Sequence, residues 1–134
     1  MLKALIFDFD GLILDTEMPS YQAWEEIYRK YGAHLAWSDW VKCIGASYEA
    51  FDPYAHLERQ IGRDIDRQSI RRRYNERRLA LIAGQPILPG VAALIAEARE
   101  AGLRLAVASS SSRAWVASHL ERLDLLKYFA VIKS

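Results

Sequence analysis

The segment Leu5-Ile6-Phe7-Asp8-Phe9-Asp10-Gly11-Leu12-Ile13-Leu14-Asp15-Thr16-Glu17 decides how the rest of the chain is read. An apolar run stops at two carboxylates, Asp8 and Asp10, one residue apart and followed by a glycine. Residues two apart in an extended chain point to the same side, so both carboxylates face one point just past the end of a strand. Two like charges that close repel unless a cation lies between them or one carries a proton. Oxygen ligands presented this way suit a hard cation such as Mg²⁺, and Gly11 permits a sharp turn and the close approach of a ligand. Asp8 and Asp10 are therefore candidate metal ligands. The plainer reading is that Asp and Gly only end a strand and begin a turn.

Around this segment the periodicity changes in an orderly way. Lys3 to Phe9 reads as a short buried strand. After Thr16, Pro19 suits a first helical turn, Ala23, Trp24, Ile27, Tyr28 and Tyr31 recur at helical spacing, and Gly32 is a stop. Ser38 is placed to cap a short helix through Trp40, Val41 and Ile44, ending at Gly45. Asp52-Pro53 opens a helix using Tyr54, Leu57 and Ile61, and Asp66 opens a longer one through Ile70, Tyr74 and Leu81. Everything from about Pro19 to Gly84 thus reads as helical. Gln85-Pro86-Ile87-Leu88-Pro89-Gly90 is the clearest break. Beyond it come a helix over Val91 to Ala101, a strand over Leu103 to Ala108, the loop Ser109-Ser110-Ser111-Ser112, a helix from Arg113 or Ala114 through Trp115, Leu120 and Leu123, and a last strand over Tyr128 to Ile132. Helix followed by strand is the unit that builds a parallel sheet. A hydroxyl-rich loop between strand and helix lies at the edge where α/β sheets bind ligands, and helix N-termini favour anions.

With 134 residues, 51% hydrophobic and 26% charged, the chain has the composition of one ordinary globular core. A net charge of +1 gives no reason to expect nucleic acid or a membrane surface as partner. The arginines Arg63, Arg67, Arg71, Arg72, Arg73, Arg77 and Arg78 cluster. Without an accompanying aromatic or glycine pattern they read as a solvated helix face balanced by Asp64, Asp66 and Glu76. Trp24, Trp37 and Trp40 read as core, and His34, His56 and His119 lack metal-ligand spacing. Cys43 is the only cysteine, which excludes an internal disulfide and makes the reducing cytoplasm the expected compartment. No stretch has transmembrane length, and Asp8 interrupts the apolar start too early for a signal peptide.

The string from Asp8 to Glu17, D-x-D-G-x-x-x-D-T-E behind an apolar strand, resembles the first motif of the haloacid dehalogenase superfamily. Leu105-Ala106-Val107-Ala108-Ser109 resembles its second, an apolar strand ending in Ser or Thr. The Leu88-Pro89-Gly90-Val91 re-entry and the helical insert look like the subfamily with an α-helical cap, which includes β-phosphoglucomutase and many sugar phosphatases. The resemblance implies an α/β fold with a partial Rossmann-like parallel sheet of three strands (residues 1–16 and 86–134) and an inserted all-α cap (residues 17–85). It implies Asp8 as nucleophile, Asp10 as general acid/base, and Mg²⁺ held beside them by Asp8 and Asp10. It gives the Ser109 hydroxyl and the Ser110 backbone N–H the task of holding the transferring phosphoryl group. The implied activity is Mg²⁺-dependent hydrolysis of a small phosphorylated metabolite, such as a sugar phosphate, through an aspartyl phosphate.

Phosphomutase is the alternative within the family. That branch carries a His and an Arg where gap-free alignment from Asp8 gives Ser20 and Tyr48. The family's third motif, a Lys, and its fourth, an acidic pair, fall beyond Ser134, so the expectation is a truncated chain with little or no activity of its own. Two further readings follow: a non-catalytic phosphate- or metal-binding module, and a fragment whose exposed sheet edge pairs between copies.

Overall fold

Residues 1–44 and 51–134 are described by the computed structural model, and they divide into two compact units: Met1–Thr16 with Gln85–Ser134, and Glu17–Gly84. In chain order the elements are β1 (Ala4–Phe7), α1 (Glu17–Lys30), α2 (Trp37–Trp40), α3 (Pro53–Ile61), α4 (Arg67–Ala83), α5 (Val91–Glu100), β2 (Arg104–Ala108), α6 (Arg113–Arg122) and β3 (Val131–Lys133). Short 3₁₀ turns follow α2 at Val41–Cys43 and precede β3 at Leu126–Tyr128.

The unit Glu17–Gly84 is helical because its apolar residues recur at turn spacing. Trp24, Ile27 and Tyr28 of α1 form one core with Leu35, Trp40, Phe51, Leu57 and Ile70. Asp52 caps α3, its carboxylate accepting from the N–H groups of Tyr54 (2.9 Å) and Ala55 (3.3 Å), with Pro53 in the first turn. Gly62, at φ 67°, turns the chain out of α3 in a conformation that costs other residues strain. Asp66 caps α4 through the Ser69 N–H at 3.0 Å.

Three expectations are corrected here. Ser38 lies inside α2 and caps nothing; extended Ala36 occupies the cap position without a side-chain hydrogen bond, because burial of Leu35 sets where the chain turns. The expected stop at Gly45 lies outside the described residues. Trp37 is 44% exposed and packs edge-on against Tyr21 at 5.0 Å, while Trp24 and Trp40 are core. The arginines form a solvated face, but their partners come from other helices: Arg67 pairs with Glu58 and Asp52, and Arg77 with Glu26. Exposed pairs of this kind contribute about 0–1 kcal/mol each.

The other unit is a parallel sheet in the order β1-β2-β3, as the helix–strand alternation implies. Phe7 sits opposite Val107, and Val107 opposite Ile132. Both crossovers step the same way across the sheet, and right-handed crossovers then place α5 and α6 on one face. Burial follows: Phe7, Leu105, Val107 and Ile132 are buried with Ile95, Val116 and Leu120. On the opposite face Ile6 is 72% and Val131 56% exposed, so β1 is not the fully buried strand its composition suggests. The last strand begins at Val131, not Tyr128. Asp124, at φ 57°, ends the turn after α6, and Tyr128 instead packs under the Arg99 guanidinium at 4.3 Å. The helical insert leaves and rejoins this unit at one place, where Leu14 and Ile87 form an antiparallel bridge and the Leu88 N–H donates to Ile13 O at 3.0 Å.

Candidate active site at the carboxyl ends of β1 and β2

Alternation along β1 separates the roles of its last residues. Phe7 and Phe9 are buried at 5% and 0%, whereas Asp8 between them is exposed and Asp10 half-buried. Full burial of a Phe side chain is worth about 2–3 kcal/mol, so Phe9 anchors the backbone between the two carboxylates. The Phe9 carbonyl accepts from the N–H groups of Leu12, Ile13 and Leu14, and the Gly11 N–H donates to Leu14 O at 2.8 Å. Gly11 adopts φ 75°, which lets the chain fold back immediately after Asp10.

The Phe9 N–H donates to Asp8 Oδ1 at 2.7 Å, and among the described residues Oδ2 of Asp8 has no hydrogen-bond partner. Asp10 is engaged at both oxygens. Trp115 Nε1–H donates to Oδ1 at 3.2 Å, and the hydroxyls of Ser111 (2.5 Å) and Ser109 (3.4 Å) contact Oδ2. The two serines come from the β2–α6 connection and Trp115 from the first turn of α6. The register that pairs Phe7 with Val107 brings the ends of the two strands level, about 5 Å apart. The loop is fixed at both ends: the Ser109 N–H donates to Lys133 O at 2.9 Å, Ser112 caps α6 through the Trp115 N–H at 3.3 Å, and Arg113 binds Ile132 O at 2.7 Å.

The structure therefore brings Asp10 and Ser109 together and places Asp8 beside them along the chain. Ser110 is exposed, with its side chain on neither carboxylate. Two residues were missed in the sequence: Ser111 and Trp115. Ser111 comes to Asp10 through a bend in which its N–H donates to Ser109 Oγ at 3.0 Å, and its signal was only the run of serines itself. Trp115 had a weaker signal, its place on the first turn of a Ser-capped helix. Of the positions bearing on a mutase, Ser20 is buried in the helical unit under Arg78 Nε at 3.0 Å, and Tyr48 lies outside the described residues.

Two carboxylates present a hard oxygen donor set, and Mg²⁺ characteristically takes one or two carboxylates with the remainder water and substrate phosphate. The pair fits that requirement. Among the described residues no cluster of three or more acidic, His or Cys side chains could hold a metal ion by protein ligands alone. Burial pushes the Cys43 thiol pKa up, which lowers its thiolate fraction. No described helix is long and apolar enough to cross a membrane.

Residues 5–134 match the family model described as haloacid dehalogenase-like hydrolase. The chain belongs to that family. Among relatives of this hydrolase family, YhcW of Bacillus subtilis is 40% identical over 134 residues, all of this chain and 60% of YhcW. The phosphorylated carbohydrates phosphatase of Thermotoga maritima is 25% identical over 98% of this chain and 60% of its own length. CbbY from Rhodobacter sphaeroides has been solved in complex with phosphate (TM-score 0.64, 29% identity) and, as a mutant, with xylulose-(1,5)bisphosphate (TM-score 0.61, 28% identity). Each match covers 98% of this chain and 63% of CbbY. The chain thus spans about 60% of the length of YhcW and of the Thermotoga phosphatase.

Proposed function

We propose that this chain carries the phosphoryl-transfer residues of a phosphatase acting on small phosphomonoesters, sugar phosphates among them. The observation that carries the reading is the meeting of Asp10, just past β1, with the serine loop at the end of β2, Asp8 standing two residues before it. That edge is where α/β sheets bind ligands, and named relatives act on phosphorylated carbohydrates or bind phosphate and a sugar bisphosphate.

Asp8 Oδ2 is the nucleophile in this reading, because Oδ1 is committed to the Phe9 N–H. It attacks phosphorus, the bond from phosphorus to the ester oxygen breaks, and Asp10 gives its proton to the departing alkoxide. Water then attacks the aspartyl phosphate, the bond from phosphorus to Asp8 breaks, and Asp10 takes the water proton. The Ser109 hydroxyl and the Ser110 backbone N–H orient the phosphoryl oxygens. Asp8 and Asp10 would hold Mg²⁺, which when bound offsets the charge repulsion between carboxylate and phosphate. A reducing cytoplasmic setting goes with this reading and with the single Cys43.

The test is phosphate release from a panel of sugar phosphates, with Mg²⁺ and with a chelator. Turnover should need the metal and vanish in Asp8→Asn. Turnover that Asp8→Asn leaves untouched rejects Asp8 as nucleophile.

A second reading rests on a separate observation. Among the described residues β1 has a strand neighbour on one side only, and Leu5, Ile6, Phe7, Leu12 and Leu94 line an apolar groove of about 590 Å³ along it. An unpaired apolar strand edge favours pairing with another strand, and a second copy of this chain supplies one.

A further inference from the structure

Asp10 is held more tightly than a bare acid/base needs, and by an unexpected donor. An indole N–H donates and cannot accept. The 3.2 Å contact from Trp115 Nε1 therefore fixes Asp10 Oδ1 as an acceptor and sets the rotation of the whole carboxylate. The opposite oxygen, Oδ2, then faces the hydroxyls of Ser111 and Ser109. The Trp115 ring is itself braced. His119, one turn along α6, meets it edge-on with ring centroids 4.2 Å apart, and the His119 ring stacks on Phe9 at 6.1 Å. Phe9 is wholly buried and adjoins both carboxylates in the chain. The contacts form a closed circuit, Asp10 to Trp115 to His119 to Phe9, whose last member is bonded to the first. Ser112 locks the start of α6 by accepting the Trp115 backbone N–H.

We propose that Trp115 is a positioning residue that orients the Asp10 carboxylate for proton transfer, through its indole N–H and the bracing of its ring by His119 and Phe9. The inference rests on the phosphatase reading for its catalytic consequence and on geometry alone for the clasp. It assigns Trp115 no contact with substrate.

Two measurements decide it. The first needs no turnover: in a ¹H–¹⁵N spectrum of the chain, the Trp115 indole cross-peak is assigned by its disappearance in Trp115→Phe. In Asp10→Ala that cross-peak should shift and its exchange with water should quicken by roughly tenfold or more, the loss expected for a hydrogen bond to a charged group. A cross-peak that stays in place with unchanged exchange overturns the proposal. The second is kinetic. Trp115→Phe keeps a ring against His119 and removes the N–H, so kcat should fall by roughly ten- to a hundredfold with KM unchanged. Glu121→Gln, at an exposed position of the same helix, should leave kcat unchanged. A Trp115→Phe variant with full kcat, or one altered only in KM, overturns the proposal. A wild-type chain without turnover, as expected of one that spans about 60% of its relatives' length, leaves the indole measurement to decide the clasp.

Discussion

Replacing Tyr28 by Phe isolates a single buried hydroxyl at the centre of the helical unit. Tyr28 is completely buried; its hydroxyl donates to Pro53 O at 2.6 Å and stands 3.0 Å from His56 Nδ1. A phenol has one proton, so with that proton on Pro53 O the imidazole must donate from Nδ1 to the hydroxyl oxygen. Burial pushes the Tyr28 pKa far above its usual value, which keeps the group a donor at every accessible pH. Phe fills nearly the same volume and keeps the ring contacts with Trp24 at 6.2 Å and His56 at 5.7 Å, so no sizeable cavity opens. The loss is therefore one buried hydrogen bond to Pro53 O and one from His56. Each is worth about 0.5–1.5 kcal/mol. Pro53 opens α3, where its carbonyl is an ordinary helix acceptor, and His56 is half-buried, so neither is left wholly unsatisfied. The expected destabilisation is about 1–2 kcal/mol, seen as a lower urea midpoint with unchanged slope. Tryptophan fluorescence reports it directly, because Trp24, Trp37 and Trp40 all lie in this unit. A Tyr28→Phe protein whose stability matches or exceeds the wild type refutes the assignment of the hydroxyl as a structural tie between α1 and α3.

Two further predictions use neighbouring features. The His56 pKa is held below its ordinary value, chiefly by burial with smaller contributions from Arg59 and Lys42, against the opposing pull of Asp39. Its unfolded form thus binds the proton more readily, so the stability from neutral His56 is present above about pH 6.5 and is lost as pH falls through that value. Melting curves should show the wild type losing more stability than His56→Gln between about pH 7.5 and about pH 5; equal losses in both contradict the assignment. At the sheet edge, light scattering should show concentration-dependent association of the chain that Ile6→Lys abolishes, since a charge on an edge strand blocks pairing. A wild type that stays monomeric at every concentration eliminates edge pairing.

Much of the architecture was legible because it is written in local chemistry. Asp52-Pro53, Asp66 and Gly32 carry their structural instructions in their own side chains or lack of one, and each stands where the pattern puts it. Parallel pairing followed from alternation of helix and strand. What stayed hidden depends on which tertiary neighbours are present. The apolar run of β1 could not reveal that Ile6 faces outward, because composition does not count the strands on either side. Ser38 carried the chemistry of a cap but was overruled by the burial of Leu35. At the site, Asp8, Asp10 and Ser109 were visible as a motif. Ser111 and Trp115 reach Asp10 only through the bend of the serine loop and the packing of α6.

The bridge between Leu14 and Ile87 has a consequence for how this chain can change. Two backbones in antiparallel register stand about 5 Å apart, so the helices between them are spliced in as the loop of a hairpin is. Loop length costs little entropy once a loop is long, each doubling adding only about 0.6 kcal/mol. The insert can therefore be lengthened, exchanged or shortened to a turn without altering the register that sets the end of β1 level with the end of β2. The helices form a replaceable cassette, and the strands a fixed socket that carries the chemistry from one cassette to the next.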